Sequence, residues 1–209
     1  MRTRVKFCGL TRHEDVRAAV ELGVDAIGLV FHPGSPRAVD IDHAVRLSAA
    51  VPAFVTLVGL FVDAGEERVH EVLRHVPLGA LQFHGRERPA DCARFERPWI
   101  KALAMRDDLD LATEAAAYDG ASSLLLDTYD PALAGGTGRR FDWERVPPAL
   151  APHIILAGGL DPGNVADAIR QVRPHAVDVS GGIEAARGVK DHSKMAEFMR
   201  GVRDGDQTR

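Results

Sequence analysis

Two residues that can transfer protons stand at the ends of short apolar runs. Cys8 follows the run 4–7 and precedes Gly9, and Asp127 follows three leucines. The ordinary pKa of a cysteine thiol, about 8.5, is too high for a base at neutral pH, so a catalytic Cys8 needs electropositive surroundings. A partly buried aspartate can keep its proton and act as a general acid. We therefore treat Cys8 and Asp127 as a candidate base and acid.

Both residues also have a structural interpretation. Free cysteine is commonly a small buried hydrophobe, and an aspartate after a strand can cap the next segment. The strand-end positions of Cys8 and Asp127 favour chemistry over these alternatives. Cys92 lies inside a predicted helix and keeps the structural interpretation.

Two glycine pairs follow consecutive apolar runs in the last third of the chain. One is Gly158-Gly159; the other is Gly181-Gly182, preceded by Asp178 and Ser180. Glycine lets backbone N–H groups approach a phosphate closely. In barrels of eight alternating strands and helices, the loops after the last two strands often bind phosphate. One pair could simply form a turn, but two in succession predict a phosphate site made by Gly158, Gly159, Asp178, Ser180, Gly181 and Gly182.

Two further polar residues lie in loops that follow apolar runs. Arg37 ends the segment 31–37, where a fixed guanidinium could clamp a substrate carboxylate, although a solvated surface charge is the alternative. His84 follows the fourth apolar run, where it could contact a substrate. The alternative is a polar residue that lies beneath the site and is hydrogen-bonded there. Asp63, His84, Asp127 and His153 do not make a defensible metal set, and no metal or cofactor is expected.

The elements that must position these residues alternate strictly between strands and helices. Short runs rich in β-branched residues predict strands at 4–7, 26–30, 55–62, 80–83, 99–103, 123–126, 153–157 and 176–179. Longer periodic stretches predict helices at 12–22, 42–50, 65–75, 88–97, 107–118, 142–146, 162–172 and 190–203. Thr11 with Glu14 reads as a capping box, Asp161-Pro162 as a helix start, and Gly23 as a helix end.

Such alternation predicts a parallel sheet covered by helices. An open doubly wound sheet fits the pattern about as well, but eight units and polar residues at the strand ends favour a closed (β/α)₈ TIM barrel. We expect one α/β domain over 1–209, a short extra helix at 183–186 and a frayed tail at 204–209.

Composition limits the partners. The chain has 209 residues and a net charge of −4, and it shows no basic run with interleaved aromatics, which argues against a nucleic-acid partner. The start has no apolar core of a secretory signal and no run approaches a membrane span, so a soluble cytoplasmic protein is expected. Nothing in the spacing of the two cysteines demands a disulfide. Monomer and homodimer both remain open.

Several motifs together resemble phosphoribosylanthranilate isomerase, a family of the tryptophan pathway. They are KFCG at 6–9, SPR at 35–37, QFHG at 82–85, LLD at 125–127, GGTG at 135–138, AGGL at 157–160 and DVSGGIE at 178–184. The match runs in order along nearly the whole chain. Two positions depart from the usual pattern, Phe83 and Arg139, and both changes are conservative.

The resemblance implies a reaction and a division of roles. The reaction is the Amadori rearrangement of N-(5-phosphoribosyl)anthranilate to 1-(2-carboxyphenylamino)-1-deoxyribulose 5-phosphate, an internal redox step that needs no cofactor. The family's base falls on Cys8, its acid on Asp127 and its contact to the anthranilate carboxylate on Arg37. Its phosphate loops fall on Gly158, Gly159, Ser180 and Gly181. The alternatives are another sugar-phosphate barrel enzyme with a different acid and base, and a non-enzymatic phosphate-binding module.

Overall fold

The computed structural model describes residues 2–128 and 141–207, and these form a closed barrel of eight parallel strands. The strands are β1 Arg4–Cys8, β2 Ala26–Val30, β3 Thr56–Phe61, β4 Ala80–Phe83, β5 Trp99–Met105, β6 Ser123–Thr128, β7 Ile154–Leu156 and β8 Ala176–Val179. Each pairs with the next, and β1 also pairs with β8 to close the barrel. The predicted (β/α)₈ barrel is confirmed, and the open sheet is excluded.

Helices follow most strands and cover the outside of the barrel. They are α1 His13–Leu22, α2 Ile41–Ser48, α3 Glu66–His75, α4 Pro89–Ala93, α5 Leu111–Ala117, α6 Val165–Val172 and α7 His192–Gln207. A hairpin of β9 Glu184–Ala186 and β10 Val189–Lys190 follows β8. Gly23 ends α1 with φ 83°, as predicted.

Two apolar layers hold the barrel together. The outer layer lies between strands and helices and includes Phe7, Phe61 and Phe198, all with no exposed surface. The inner layer fills the barrel with smaller side chains, namely Val58, Ala80, Ile100, Ala102, Leu125, Ile155, Ala157 and Ala176. Side chains alternate between the faces of a strand, so residues two apart share the interior. This alternation decides which strand-end residues point into the mouth.

Two predicted helix features were wrong, and a third lies earlier in the chain than the helix itself. Thr11 does not cap α1, because its hydroxyl donates to the carbonyl of Gly188 at 2.6 Å. The segment 142–146 is only a 3₁₀ turn, Trp143–Arg145, because the proline after Val146 forces that residue into an extended conformation. Asp161 does accept from the N–H of Gly163 at 2.7 Å, as the predicted cap would, but the regular helix α6 begins only after Asn164.

Two expectations near the end of the chain were also wrong. The extra helix expected at 183–186 is only a 3₁₀ turn over Gly181–Ile183, because Gly188, with φ 79°, turns the chain back so that β9 pairs with β10. The tail is not frayed through residue 207, because Asp206 accepts hydrogen bonds from the N–H and hydroxyl of Thr3 at 2.8 and 2.7 Å. Of the described helices, none has the length and apolar character to span a membrane.

Candidate active site

The carboxyl ends of the strands bring the predicted site residues to one mouth. Cys8 is the last residue of β1, Asp127 is the next-to-last residue of β6, and Asp178 is the next-to-last residue of β8. Gln82 of β4 lines the same mouth, and His84 follows that strand. These are positions of one barrel end, where (β/α)₈ barrels carry their chemistry.

One side of the mouth is a cavity of about 260 Å³ between the ends of β7 and β8. It is lined by Asp127, Ala157, Gly158, Gly159, Leu160, Asp161, Asp178, Val179, Ser180, Gly181 and Gly182. The predicted phosphate residues all belong to this set. Gly158 and Gly159 have φ of 77° and 65°, conformations that favour glycine, and a Cβ at Gly158 would collide with the backbone of Thr128. Four glycines, which have no side chain to cover their N–H groups, therefore line this cavity beside Asp127, Asp161 and Asp178, and glycine N–H groups are suited to bind an anion.

Asn164 holds the loop after β7 in shape. Its side-chain nitrogen donates to the carbonyl of Gly159 at 2.8 Å, and its side-chain oxygen accepts from the N–H of Asp161 at 3.0 Å. A single amide thus bridges both ends of the turn. These two hydrogen bonds stabilise the turn that holds Gly158 and Gly159 in left-handed conformations.

The other side of the mouth is a cavity of about 130 Å³ lined by side chains. Its residues are Cys8, Val30, His32, Ser35, Arg37, Leu60, Val62, Gln82, His84, Asp127, Asp178 and Ser180. Asp127, Asp178 and Ser180 line both cavities, so the two adjoin. A single small molecule could therefore place its phosphate in one cavity and its reacting carbon in the other.

Cys8 is a free thiol with only 5% of its surface exposed. Burial raises the pKa of the Cys8 thiol, while the positive charges of Lys6 and Lys190 oppose that rise and Asp178 adds to it. Lys6 and Asp178 form a buried ion pair with 2.9 Å between Nζ and Oδ1. The electropositive groups that a catalytic cysteine needs are therefore present, although burial outweighs them here.

Asp127 and His84 form a second polar pair on this side. The Nε2 of His84 lies 3.2 Å from Oδ2 of Asp127, and the other oxygen of Asp127 accepts from the N–H of Thr128 at 2.8 Å. The amide nitrogen of Gln82 lies 3.0 Å from Nδ1 of His84. Donation from Gln82 makes Nδ1 the acceptor and leaves the Nε2 proton directed at Asp127. His84 is thus oriented toward the candidate acid rather than exposed.

Arg37 reaches the mouth as half of a two-pronged ion pair. Its Nε and Nη2 donate to the two carboxylate oxygens of Glu184 at 2.7 and 2.8 Å, and Lys190 Nζ lies 2.9 Å from the same carboxylate. Burial alone would raise the pKa of Glu184, but the hydrogen bonds from Arg37 and Lys190 hold it below its usual range. The guanidinium is therefore fixed, and its Nη1 lies outside the pair. The solvated alternative is wrong.

Three ionisable residues of this mouth had no role in the sequence interpretation: Lys6, Glu184 and Lys190. A lysine inside an apolar strand, two residues before Cys8 and so on its face, was a readable signal for Lys6. Glu184 and Lys190 gave none, because their roles depend on the hairpin that forms after β8.

Some predicted features lie outside the site or outside the described residues. The glycine loop 135–138 and Arg139 belong to the segment that the structure does not describe. Cys92 is buried in α4, where burial raises the pKa of its thiol to about 11. In 2–128 and 141–207, no three His, Cys, Asp or Glu side chains are grouped to hold a metal ion.

The fold and this mouth define a (β/α)₈-barrel enzyme. The family model of N-(5′-phosphoribosyl)anthranilate (PRA) isomerase matches residues 5–201, and the chain belongs to that isomerase family.

Curated relatives and solved structures agree with this assignment. An N-(5′-phosphoribosyl)anthranilate isomerase of Nitrosococcus oceani is 55% identical over 97% of this chain and 98% of its own. The one from Chromohalobacter salexigens is 57% identical over 95% of this chain and 93% of its own. The crystal structure of the Thermotoga maritima enzyme superposes with a TM-score of 0.88 at 38% identity, covering 96% and 98% of the two chains.

A further solved structure carries a ligand. This phosphoribosyl anthranilate isomerase, in complex with reduced 1-(o-carboxyphenylamino)-1-deoxyribulose 5-phosphate, superposes with a TM-score of 0.82 at 37% identity, covering 96% and 98% of the chains. Another Thermotoga maritima structure is of monomers generated from a dimeric enzyme.

Proposed function

We propose that this chain converts N-(5-phospho-β-D-ribosyl)anthranilate to 1-(2-carboxyphenylamino)-1-deoxy-D-ribulose 5-phosphate in tryptophan biosynthesis. One observation carries the proposal. A glycine-lined cavity adjoins a second cavity that holds a thiol, a carboxyl and a fixed guanidinium, and this reaction needs those groups around one phosphorylated substrate.

The substrate would lie across both cavities. Its phosphate binds the backbone around Gly158, Gly159 and Gly181, and its anthranilate carboxylate accepts from Nη1 of Arg37. The ribose then lies over Asp127, since that residue lines both cavities. Asp178 lines the phosphate cavity, and the ion pair with Lys6 compensates its negative charge.

Ring opening comes first. Asp127 acts as general acid and gives a proton to the furanose oxygen as the C1′–O bond breaks, and the lone pair of the anthranilate nitrogen forms a C1′=N bond. His84, which directs an N–H at Asp127, orients the carboxyl for this step.

Proton removal from C2′ comes second. The iminium acidifies the C2′ proton, the thiolate of Cys8 takes it, and the C–H electron pair forms a C1′=C2′ bond while the C=N pair returns to nitrogen. The enolamine then becomes the ketone by losing its hydroxyl proton and gaining one at C1′, and the enzyme is restored as one proton returns to Asp127 and one leaves Cys8. Atoms and electrons balance within the substrate, so no outside oxidant takes part.

Turnover of the substrate tests the proposal. The purified protein should consume N-(5-phosphoribosyl)anthranilate, followed by loss of its fluorescence, and mass spectrometry should find a product of unchanged mass. No turnover at micromolar enzyme would contradict the proposal. Turnover of a histidine-pathway or indole-glycerol-phosphate substrate instead would favour another sugar-phosphate enzyme.

A further inference from the structure

A buried lysine lies directly below the thiol of Cys8. Lys6 and Cys8 are two residues apart on β1 and share its inward face, and Lys6 stands opposite Asp178 in the register of β1 with β8. The Lys6 and Asp178 side chains are 4% and 9% exposed and lie 2.9 Å apart. A charge this deep inside the barrel is costly unless it has a partner.

Gly28 of β2 makes room for both side chains. It stands opposite Cys8 in the register of β1 with β2. A Cβ added there would lie 2.9 Å from Sγ of Cys8 and 3.1 Å from Cε of Lys6. The sulfur and the end of the lysine stem therefore border the same small space, which a side chain on β2 would fill.

We propose that Lys6 is a positioning residue that stabilises Cys8 as the thiolate, and that Asp178 holds the Lys6 ammonium and limits how much of its charge acts on the sulfur. The inference rests on the proposed role of Cys8 as base. It supplies what a buried cysteine lacks, since burial alone favours the neutral thiol.

Other charged groups face the same sulfur but are less suited to this task. Lys190 of β10 is committed to Glu184 at 2.9 Å and to the carbonyl of Ser180 at 3.0 Å. Arg37 donates to the Glu184 carboxylate through both Nε and Nη2. The remaining titratable residues around the cavity are His32, His84, Asp127 and Asp178. Among these groups Lys6 has the strongest opposing effect on the pKa of Cys8.

The test measures the Cys8 thiol itself. In a Cys92→Ala background, the rate of alkylation by iodoacetamide is followed against pH, with Cys8→Ala/Cys92→Ala as the blank. Lys6→Met should raise the pKa of Cys8 by about one unit or more, which slows alkylation at pH 8 about tenfold. Asp178→Asn should speed it, because the lysine charge is then no longer shared.

A second variant guards against misfolding. Lys6→Met leaves a buried carboxylate unpaired, whereas Lys6→Met/Asp178→Asn removes both charges. The double variant should also be alkylated more slowly at pH 8, because Lys6 acts on the thiol more strongly than Asp178 does. Alkylation profiles of the single and double variants that superimpose on the parent would overturn the proposal.

The chain offers a matched control in a second buried pair. Lys101 and Glu87 are 3% and 7% exposed and lie 2.9 Å apart, on the outer side of β5. Lys101→Met/Glu87→Gln removes the same kind of pair away from the thiol and should leave the Cys8 profile unchanged. An equal shift in this control would mean that any loss of a buried pair disturbs Cys8, and would also overturn the proposal.

The pH profile of kcat/KM separates this inference from the proposed function. If Cys8 is the base, the acid limb should move upward in Lys6→Met/Asp178→Asn together with the alkylation profile. A shift in alkylation without a shift in the acid limb would leave Lys6 acting on Cys8 but would contradict Cys8 as the base.

Discussion

The two sides of the barrel mouth are lined by different kinds of residues. Around β7 and β8 the wall contains four glycines beside Asp127, Asp161 and Asp178, and the amide of Asn164 holds the loop after β7. Around β1, β2, β4 and β6 it consists of ionisable side chains: Arg37 is paired with Glu184, Asp127 contacts His84, and Cys8 shares its strand face with Lys6. We propose that glycine N–H groups bind the phosphate on the first side, and such groups do not titrate. The second side depends on which groups carry protons.

The largest effect should come from the carboxyl of the side-chain half. Asp127→Asn keeps the shape but cannot give up a proton, so kcat should fall about 10²- to 10⁴-fold, the range of a lost general acid. KM should change little, because the phosphate contacts are made elsewhere. Steady-state kinetics with N-(5-phosphoribosyl)anthranilate measure both.

Asp63→Asn is the matched control for that change. Asp63 follows β3 at the same end of the barrel, yet it lines neither cavity of the mouth. Its kcat should stay within about twofold of the parent, as expected of a substitution away from the reacting atoms. Equal losses in both variants would remove the special role of Asp127.

The next largest effect should fall on the backbone half. Gly182→Ala places a Cβ against the backbone carbonyl of Leu160, so the loops after β7 and β8 must shift and their phosphate contacts weaken. One lost hydrogen bond to a charged group is worth about 1.5–3 kcal/mol, so KM should rise about ten- to hundredfold while kcat changes less. This pattern is the reverse of the one expected for Asp127→Asn.

Gly65→Ala controls for the substitution itself. Gly65 precedes α3 with φ −63°, and a Cβ there meets nothing within 4 Å. Its KM should match that of the parent. A fall in kcat for Gly182→Ala with KM unchanged would break the distinction between the two sides.

A smaller effect should follow from removing the guanidinium. Arg37→Gln should raise KM about tenfold, because one charge-assisted contact to the substrate carboxylate is lost. A substrate analogue built on aniline, which lacks that carboxylate, should be turned over equally by the parent and the variant. Discrimination against the analogue that persists in Arg37→Gln would show that another residue contacts the carboxylate.

The barrel was readable because strands buried on both faces are apolar throughout and alternate regularly with helices. The errors lie where distant contacts decide. Thr11 bonds to Gly188 instead of capping α1, and the hairpin after β8 depends on a turn at Gly188 and on Asp15 accepting from the N–H of Lys190. Local sequence carries none of this information.

The functional site, like the fold, was predictable only in part. The strand ends placed Cys8 and Asp127 at one mouth, since topology brings carboxyl ends together. Their supporting pairs could not be predicted, because Lys6 meets Asp178 across 172 residues and Arg37 meets Glu184 across 147. Which charges neighbour a thiol is fixed by register and barrel closure, not by spacing along the chain.

We propose that Cys8 transfers a proton at a mouth where other residues bind the substrate. Cys8→Ser tests it most directly, with turnover of N-(5-phosphoribosyl)anthranilate and calorimetric binding of reduced 1-(o-carboxyphenylamino)-1-deoxyribulose 5-phosphate measured on the same preparation. We expect a loss of kcat of about 10²- to 10⁴-fold, with the Kd of the analogue within about threefold of the parent. A variant that keeps more than about a tenth of the parent's kcat would contradict it.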